Sequence, residues 1–193
     1  MKLKSFTTFD IVLMALLAVA NGVLTTYLAL VNKTLTAIGG PIATSSIVGI
    51  YMIYGLLAVY IIRKPGTALF TFLMGATVQM MLGNAYGMAS AYVAALSYAV
   101  VLETVFYLYR YKKWSYVSMM IAAVAAVPLW FVFASYMFGY IKWGIPILLI
   151  TLVVRCISGA ILCGALTKWI GDSLAKTGLL KNFAIGNEHR NEA

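Results

Sequence analysis

LGNAYG, residues 82–87, is one of the few places where this sequence turns briefly polar. Long apolar runs flank it, at about 66–83 and 88–109. An Asn, an Ala and a Tyr, fenced by Gly83 and Gly87, are all that join them. A hydrocarbon core ~30 Å thick needs ~20 mostly apolar residues in a helix, so each run is near the length of a membrane span. The pattern extends outward in both directions. Apolar runs fall at about 9–30, 43–62, 66–83, 88–109, 115–138 and 145–170, and a polar tail occupies 171–193.

The fold class that follows is an all-α integral membrane protein, one transmembrane domain of six helices. Composition agrees. The 193 residues are 63% hydrophobic and 10% charged, with a mean hydropathy of +0.95. A soluble domain is nearer ~45–50% apolar and ~25% charged. The chain has room for the spans and little else. Cys156 and Cys163 lie within one run, and helix rise sets their Cα atoms roughly 10 Å apart, too far for a disulfide.

The net charge of +9 raises the question of a nucleic-acid partner. The placement of the charges answers it. With the N-terminus inside, the inner segments hold Lys2, Lys4, Arg63, Lys64, Arg110, Lys112, Lys113, Lys168, Lys176, Lys181 and Arg190. The outer segments hold Lys33 and Lys142, and Arg155 falls within a span. Cytoplasmic loops carry the excess of Lys and Arg. The basic residues are therefore topology signals, both termini face the cytoplasm, and no nucleic acid is implied. LGNAYG then faces outward, as do the first loop, VNKTLTAIGGPI, and GYIKWG. Trp114, Trp143 and Trp169 fall near span ends, where amphipathic rings favour the interface.

Polar residues inside spans are costly, and they are functional or paired by default. They are Asn21, Gln79, Glu103 and Arg155. Helix rise places Gln79 roughly 6–8 Å beneath Asn84. Tyr51, Tyr86, Tyr92, Trp130 and Tyr136 should lie at similar depth. Aromatic faces with one amide, open to the outside, form a cradle for a flat heterocycle, although Tyr and Trp also pack and anchor spans. Glu103 and Arg155 are deeper. An unpaired buried charge is expensive, so a structural ion pair between them is expected; the rival reading has Glu103 contact the ligand. Ala15, Ala18 and Gly22 place small residues on one face of the first span, which lets another helix approach closely. That helix belongs either to the same bundle or to a partner.

Other chemistry lacks its residues. His189 is the sole histidine and lies in the tail. There is no Cys/His cluster for a metal, no P-loop and no nucleophile–base arrangement. The expectation is a non-catalytic protein without metal or cofactor.

Several stretches together resemble one family: GGPIA at 39–43, RKPG at 63–66, LGN at 82–84, Glu103, VVRCISGAILCGAL at 153–166 and GDSLAKTGLL at 171–180. They resemble the YkoE-type substrate-binding S components of energy-coupling-factor (ECF) vitamin transporters, the thiamin or hydroxymethylpyrimidine class. The resemblance implies a multi-pass protein of the prokaryotic cell membrane with a site at the outer face. From their depth and polarity, Gln79, Asn84, Tyr86, Tyr51, Trp130, Tyr136 and Glu103 are the candidate substrate-binding residues for such a site. It implies a membrane coupling subunit and two cytoplasmic ABC ATPases as partners, and a subunit that tips in the bilayer as ATP is hydrolysed. Ala15, Ala18 and Gly22 match the face that contacts the coupling subunit in such proteins. This sequence departs from the family at Gln79, where an acidic residue tends to stand. An amide matches the donor–acceptor edge of a neutral aminopyrimidine in one bidentate contact and offers less to a thiamin cation. The rival class is a stand-alone secondary transporter or channel for a small heterocycle; such proteins usually carry an internal repeat, and none is visible. In either case Asn84 and Tyr86 stand at the pocket rim and VNKTLTAIGGPI is expected to be a movable lid.

Overall fold

The computed structural model describes residues 5–186. Its first helix, α1 (Thr8–Ser45), begins at a capping box. The Thr7 hydroxyl accepts from the Asp10 N–H at 3.3 Å, and Asp10 Oδ2 accepts from the Thr7 N–H at 2.7 Å. The pair satisfies N–H groups that a helix start leaves open. Lys64 Nζ, 2.5 Å from Asp10 Oδ2, ties this end of α1 to the turn before α3.

The expected first loop is not a loop. α1 runs on through 31–38 and breaks only at Gly39 and Gly40. The lid expectation for VNKTLTAIGGPI is corrected accordingly. Its Thr and Asn residues read as a turn, but the Thr34 hydroxyl bonds back to the Leu30 carbonyl at 3.3 Å and Thr36 to the Asn32 carbonyl at 2.8 Å. Local side-chain bonds of this kind can be met inside a helix. The helix stops where Gly40 adopts φ +60 and Pro41 follows. A Cβ at Gly40 would also sit 3.3 Å from the Trp143 ring. At ~1.5 Å per residue the unbroken part is roughly 46 Å long, well beyond a ~30 Å hydrocarbon core.

The remaining long helices are α2 (Val48–Ile62), α3 (Thr67–Leu82), α4 (Met88–Leu108), α5 (Tyr116–Met137) and α6 (Ile145–Lys176), with a short 3₁₀ helix at Tyr140–Trp143 and a helical turn at 184–186. α2 opens as a 3₁₀ turn, Val48–Met52, and α6 contains a π-helical stretch, Gly159–Ala165. No strand occurs among the described residues. Four helices, α1, α4, α5 and α6, are long and apolar enough to cross a membrane; α2 and α3 are apolar but shorter. α2 packs against α1, α3 and α6. Gly55 to Ile62 are all buried, as befits a helix that is hydrophobic all round.

α1 and α3 meet along a seam of small residues. A Cβ on Gly22 would lie 2.6 Å from Val78 Cβ and 2.8 Å from the Gly75 carbonyl oxygen. One on Gly75 would lie 2.9 Å from Asn21 Nδ2 and 3.3 Å from the Ala18 carbonyl oxygen. Ala18 is fully buried and Gly22 is buried with it. The assignment of this face to a coupling subunit is therefore corrected: Ala18 and Gly22 pack the protein's own bundle. Ala15 is half-buried.

Charge is segregated along the bundle. Asp10, Lys64, Glu103, Arg110, Lys168 and Asp172 stand towards the end that holds the α2–α3 and α4–α5 turns. The opposite end carries LGNAYG, the Gly39–Gly40 break and the Tyr140–Trp143 turn.

Candidate binding site

LGNAYG is a side-chain-built turn. Asn84 Oδ1 accepts from the Tyr86 N–H at 3.0 Å, and Asn84 Nδ2 donates to the Gly87 carbonyl at 2.9 Å. Gly83 and Gly87 take φ +88 and +84, which glycine adopts without a Cβ penalty. The turn thus holds Tyr86 over the bundle end. Its ring packs on Phe138 at 5.0 Å, and Lys33 from the extension of α1 lies 5.6 Å from the ring centroid. The phenol meets Thr36 and Asn32, and burial pushes its pKa above the ordinary value, so the proton stays in place.

Beneath this roof is a cavity; the empty space within it and in front of its mouth totals about 580 Å³. Every helix contributes to it: Asn32 from α1, Tyr51 from α2, Gln79 from α3, Tyr98 from α4, Trp130 from α5 and Arg155 from α6. Five of the aromatic rings, Tyr86, Tyr98, Trp130, Phe138 and Tyr140, form one connected set. Trp130 stands edge-on to Tyr98 at 6.4 Å and to Phe138 at 6.1 Å, and Phe138 continues to Tyr140 at 5.9 Å. A second, smaller recess shares Tyr51, Gln79 and Tyr98 and reaches down to Asn21 and Thr25.

The polar atoms around this space are incompletely paired. Asn32 Oδ1, Tyr51 OH, Arg155 Nη1 and Asn21 Oδ1 are buried without a hydrogen-bond partner. Buried side-chain polar atoms nearly always have one. Three of these atoms belong to the cavity lining and the fourth, Asn21 Oδ1, to the adjoining recess, an arrangement that suits a polar ligand.

Of the residues expected from sequence, Gln79, Asn84, Tyr86, Tyr51 and Trp130 are brought together on the cavity wall. Tyr136 is not; it is 73% exposed. Trp130, Ala134 and Phe138 line the cavity at helical spacing, and Tyr136 projects from the opposite side of α5. Tyr92 also lies off the main cavity, with its hydroxyl 3.2 Å from that of Thr77.

Glu103 is neither in the cavity nor paired with Arg155, and both expectations are corrected. One Glu103 oxygen accepts from the Ala68 N–H at 2.8 Å, in the first turn of α3, and the other accepts from the Tyr111 hydroxyl. A carboxylate suits the positive end of a helix dipole, so Glu103 has its partners at the basic end of the bundle. Arg155, 3% exposed, sits at the other end. Its Nε donates to Ser45 Oγ at 3.0 Å, and its guanidinium lies 5.0 Å from the Phe131 centroid and 5.5 Å from that of Tyr140. Glu103→Ala should therefore cost about 2 kcal/mol of stability through two lost charge-assisted bonds and leave ligand affinity within about twofold. Melting and titration of the same detergent-purified sample would check both halves.

Sequence reasoning missed Asn32, Tyr98, Phe138, Tyr140 and the place of Arg155 in the wall. Asn32 could have been found. If the helix is continued past residue 30, Ala29, Asn32, Lys33 and Thr36 share one face.

Comparison with known proteins then gives three findings. Residues 9–129 match the family described as the ABC-type cobalt transport system, permease component. The chain is 36% identical over 186 residues to YkoE of Bacillus subtilis (strain 168), which is named for HMP/thiamine permeation; the match spans 96% of this chain and 93% of YkoE. A crystal structure of an S-component of an ECF transporter superposes with a TM-score of 0.92 at 34% identity, covering 97% of this chain and 95% of that one.

Proposed function

We propose that this chain, which belongs to the ABC-type cobalt transport permease family and within it to the YkoE-type S components of ECF transporters, is the subunit that captures thiamin or hydroxymethylpyrimidine outside the cell. It spans the membrane six times with its basic end and both termini in the cytoplasm. It passes its ligand inward with a membrane coupling subunit and two ABC ATPases, and it carries out no chemistry itself. One observation supports this above the rest: unpaired atoms of Asn32, Tyr51 and Arg155 belong to one aromatic-walled cavity. Gln79 on the same wall can read the amino group and ring nitrogen of an aminopyrimidine in one contact. Ring stacking on Trp130 or Tyr98 would hold the flat face.

The orientation rests on charge. The cavity is at the end remote from Lys64, Arg110 and Lys168, and the positive-inside preference puts that end outside. The cavity does not suit the cobalt ion of the family's description as a substrate. Its described lining is phenol, indole, amide and guanidinium, without carboxylate, imidazole or thiolate, and those missing groups are what divalent transition metals select.

The test is uptake of labelled hydroxymethylpyrimidine into vesicles. Protein reconstituted alone should bind and not accumulate the ligand. Addition of the coupling subunit and ATPases should give accumulation that requires ATP. Accumulation by the chain alone would favour a secondary transporter and sink the reading.

A further inference from the structure

We infer that the α4–α5 turn holds the phosphodiester headgroup of an anionic phospholipid on Arg110 and Lys112, with an acyl chain laid along α4. This site is at the end of the bundle remote from the cavity. It belongs to the inner leaflet, and in that respect alone it rests on the orientation proposed above.

The turn is built in an uncommon way. Arg110 and Tyr111 take φ +51 and +53 in succession, a left-handed conformation that few residues with a side chain adopt. It separates neighbours. Tyr111 is tied to the bundle, since its hydroxyl donates to Glu103 and its carbonyl accepts from Trp114 Nε1 at 3.1 Å. Arg110 and Lys112, on either side of it, are exposed and line a shallow hollow with Tyr107 and Leu108.

The neighbouring cations are engaged. Lys64 is held by Asp10, Arg63 donates to the Tyr60 carbonyl at 3.1 Å and stacks on Trp114, and Lys113 lies 5.9 Å from the Tyr109 centroid. Arg110 and Lys112 have no ion pair and no side-chain hydrogen bond among the described residues. Glu103, on the same helix, is committed to the Ala68 N–H at 2.8 Å and to Tyr111. It lines a separate hollow that touches Tyr107, with Pro65 and Thr104, so an anion belongs on the Arg110 side. Two open cations suit one phosphodiester, and charge-assisted bonds of that kind are the strong ones.

The surface along α4 marks the occupant as a lipid. Leu96, Val100, Thr104 and Leu108 recur every four residues and are all exposed, Leu108 at 72% and the adjoining Tyr107 at 64%. Residues so spaced share one face of a helix. The stripe ends at the turn, so an acyl chain and its phosphate meet apolar and then cationic groups in sequence. A soluble anion would have no use for the stripe, and neither would cations that only complement the dipole at the end of α4. Tyrosine favours this interfacial level, and basic residues near the cytoplasmic surface attract anionic lipid.

The experiment is native mass spectrometry of the full-length protein in detergent, with phosphatidylglycerol or phosphatidylcholine added at equal concentration. The protein should retain phosphatidylglycerol roughly tenfold more than phosphatidylcholine, and Arg110→Gln with Lys112→Gln should bring the ratio to within about twofold. Lys176→Gln with Lys181→Gln removes equal charge from the end of α6 and the segment after it, and should keep the preference. An unaltered protein without the preference overturns the inference with no variant needed. So does a ratio that the first double variant leaves unchanged, or that both double variants lower equally. Displacement of the lipid by equimolar sn-glycerol 3-phosphate would assign the cations to a soluble phosphate instead. Absence of the preference, with the first double variant failing to join the ATPases, would assign them to a protein partner. Labelling of Lys113→Cys by a membrane-impermeant maleimide in intact cells tests the orientation separately. Labelling from outside overturns the inner-leaflet assignment and the orientation together. Protection from label without a lipid preference overturns the lipid site and leaves the carrier reading intact.

Discussion

Gly22→Leu should cost about 3 kcal/mol or more of stability and lower the melting temperature by roughly 10 °C. The reasoning starts from what a side chain at residue 22 would meet. Its Cβ alone would lie 2.6 Å from Val78 Cβ and 2.8 Å from the Gly75 carbonyl oxygen. The second of these is backbone and cannot swing aside. Relief would require α1 and α3 to part, which would open the contact of Gly75 with Asn21 and Ala18 as well. Between apolar helices in lipid there is no solvent-driven attraction to restore the fit, and association depends on close packing. Val23→Leu is the control. Val23 is the next residue, is 38% exposed, and should tolerate the larger side chain with little change. Scanning fluorimetry and size-exclusion chromatography on both variants would read the difference. A Gly22→Leu protein that melts like its parent yet fails to join a coupling subunit would return this face to docking.

The same seam shows why part of the architecture was legible in sequence and part was not. Small residues at helical spacing announce a close approach but not the helix that approaches. Nothing in Ala18 or Gly22 distinguishes α3 from a partner protein. The apolar runs could be read because a membrane imposes one length and one polarity on every segment. Their limits were clear where Gly83, Gly87 and the basic turns interrupt them, and misleading at 31–38. There Asn, Lys and Thr suggest a loop, yet each Thr bonds to its own preceding turn and the helix goes on to Gly39. The candidate site was half legible for a related reason. Depth can be counted along a helix, and Gln79, Tyr51, Trp130 and the Asn84–Tyr86 turn do line one cavity. Direction around the helix cannot be counted from depth alone, and Tyr136 was misplaced by it. The Glu103–Arg155 pairing failed differently. The premise that a buried charge needs a partner was sound, but the partner need not be another charge. Glu103 found the N–H of a helix start and a phenol; Arg155 found a hydroxyl and two aromatic faces.

Trp130→Ala should weaken binding of the pyrimidine ligand by about 1–3 kcal/mol, the loss typical when an aromatic platform under a base is truncated. Trp130 is half-buried and lines the cavity. Tyr98 and Phe138 meet it in edge-to-face contacts, 6.4 Å and 6.1 Å between centroids, and these fix the plane of the indole. A ring whose tilt is already set offers a ligand its face with little further ordering, which is where preorganisation contributes to affinity. Alanine removes the face and also frees Phe138, which carries Tyr86 and the roof of the pocket. Trp130→Phe keeps a smaller platform and should lose less. Tyr136→Ala should change nothing, because that ring is on the far side of α5. Calorimetry is the suitable readout, since fluorescence would lose its reporter along with Trp130. Affinity within twofold of the parent in a Trp130→Ala protein with an unchanged melt would place the ligand elsewhere, and the aromatic wall would then be packing and nothing more.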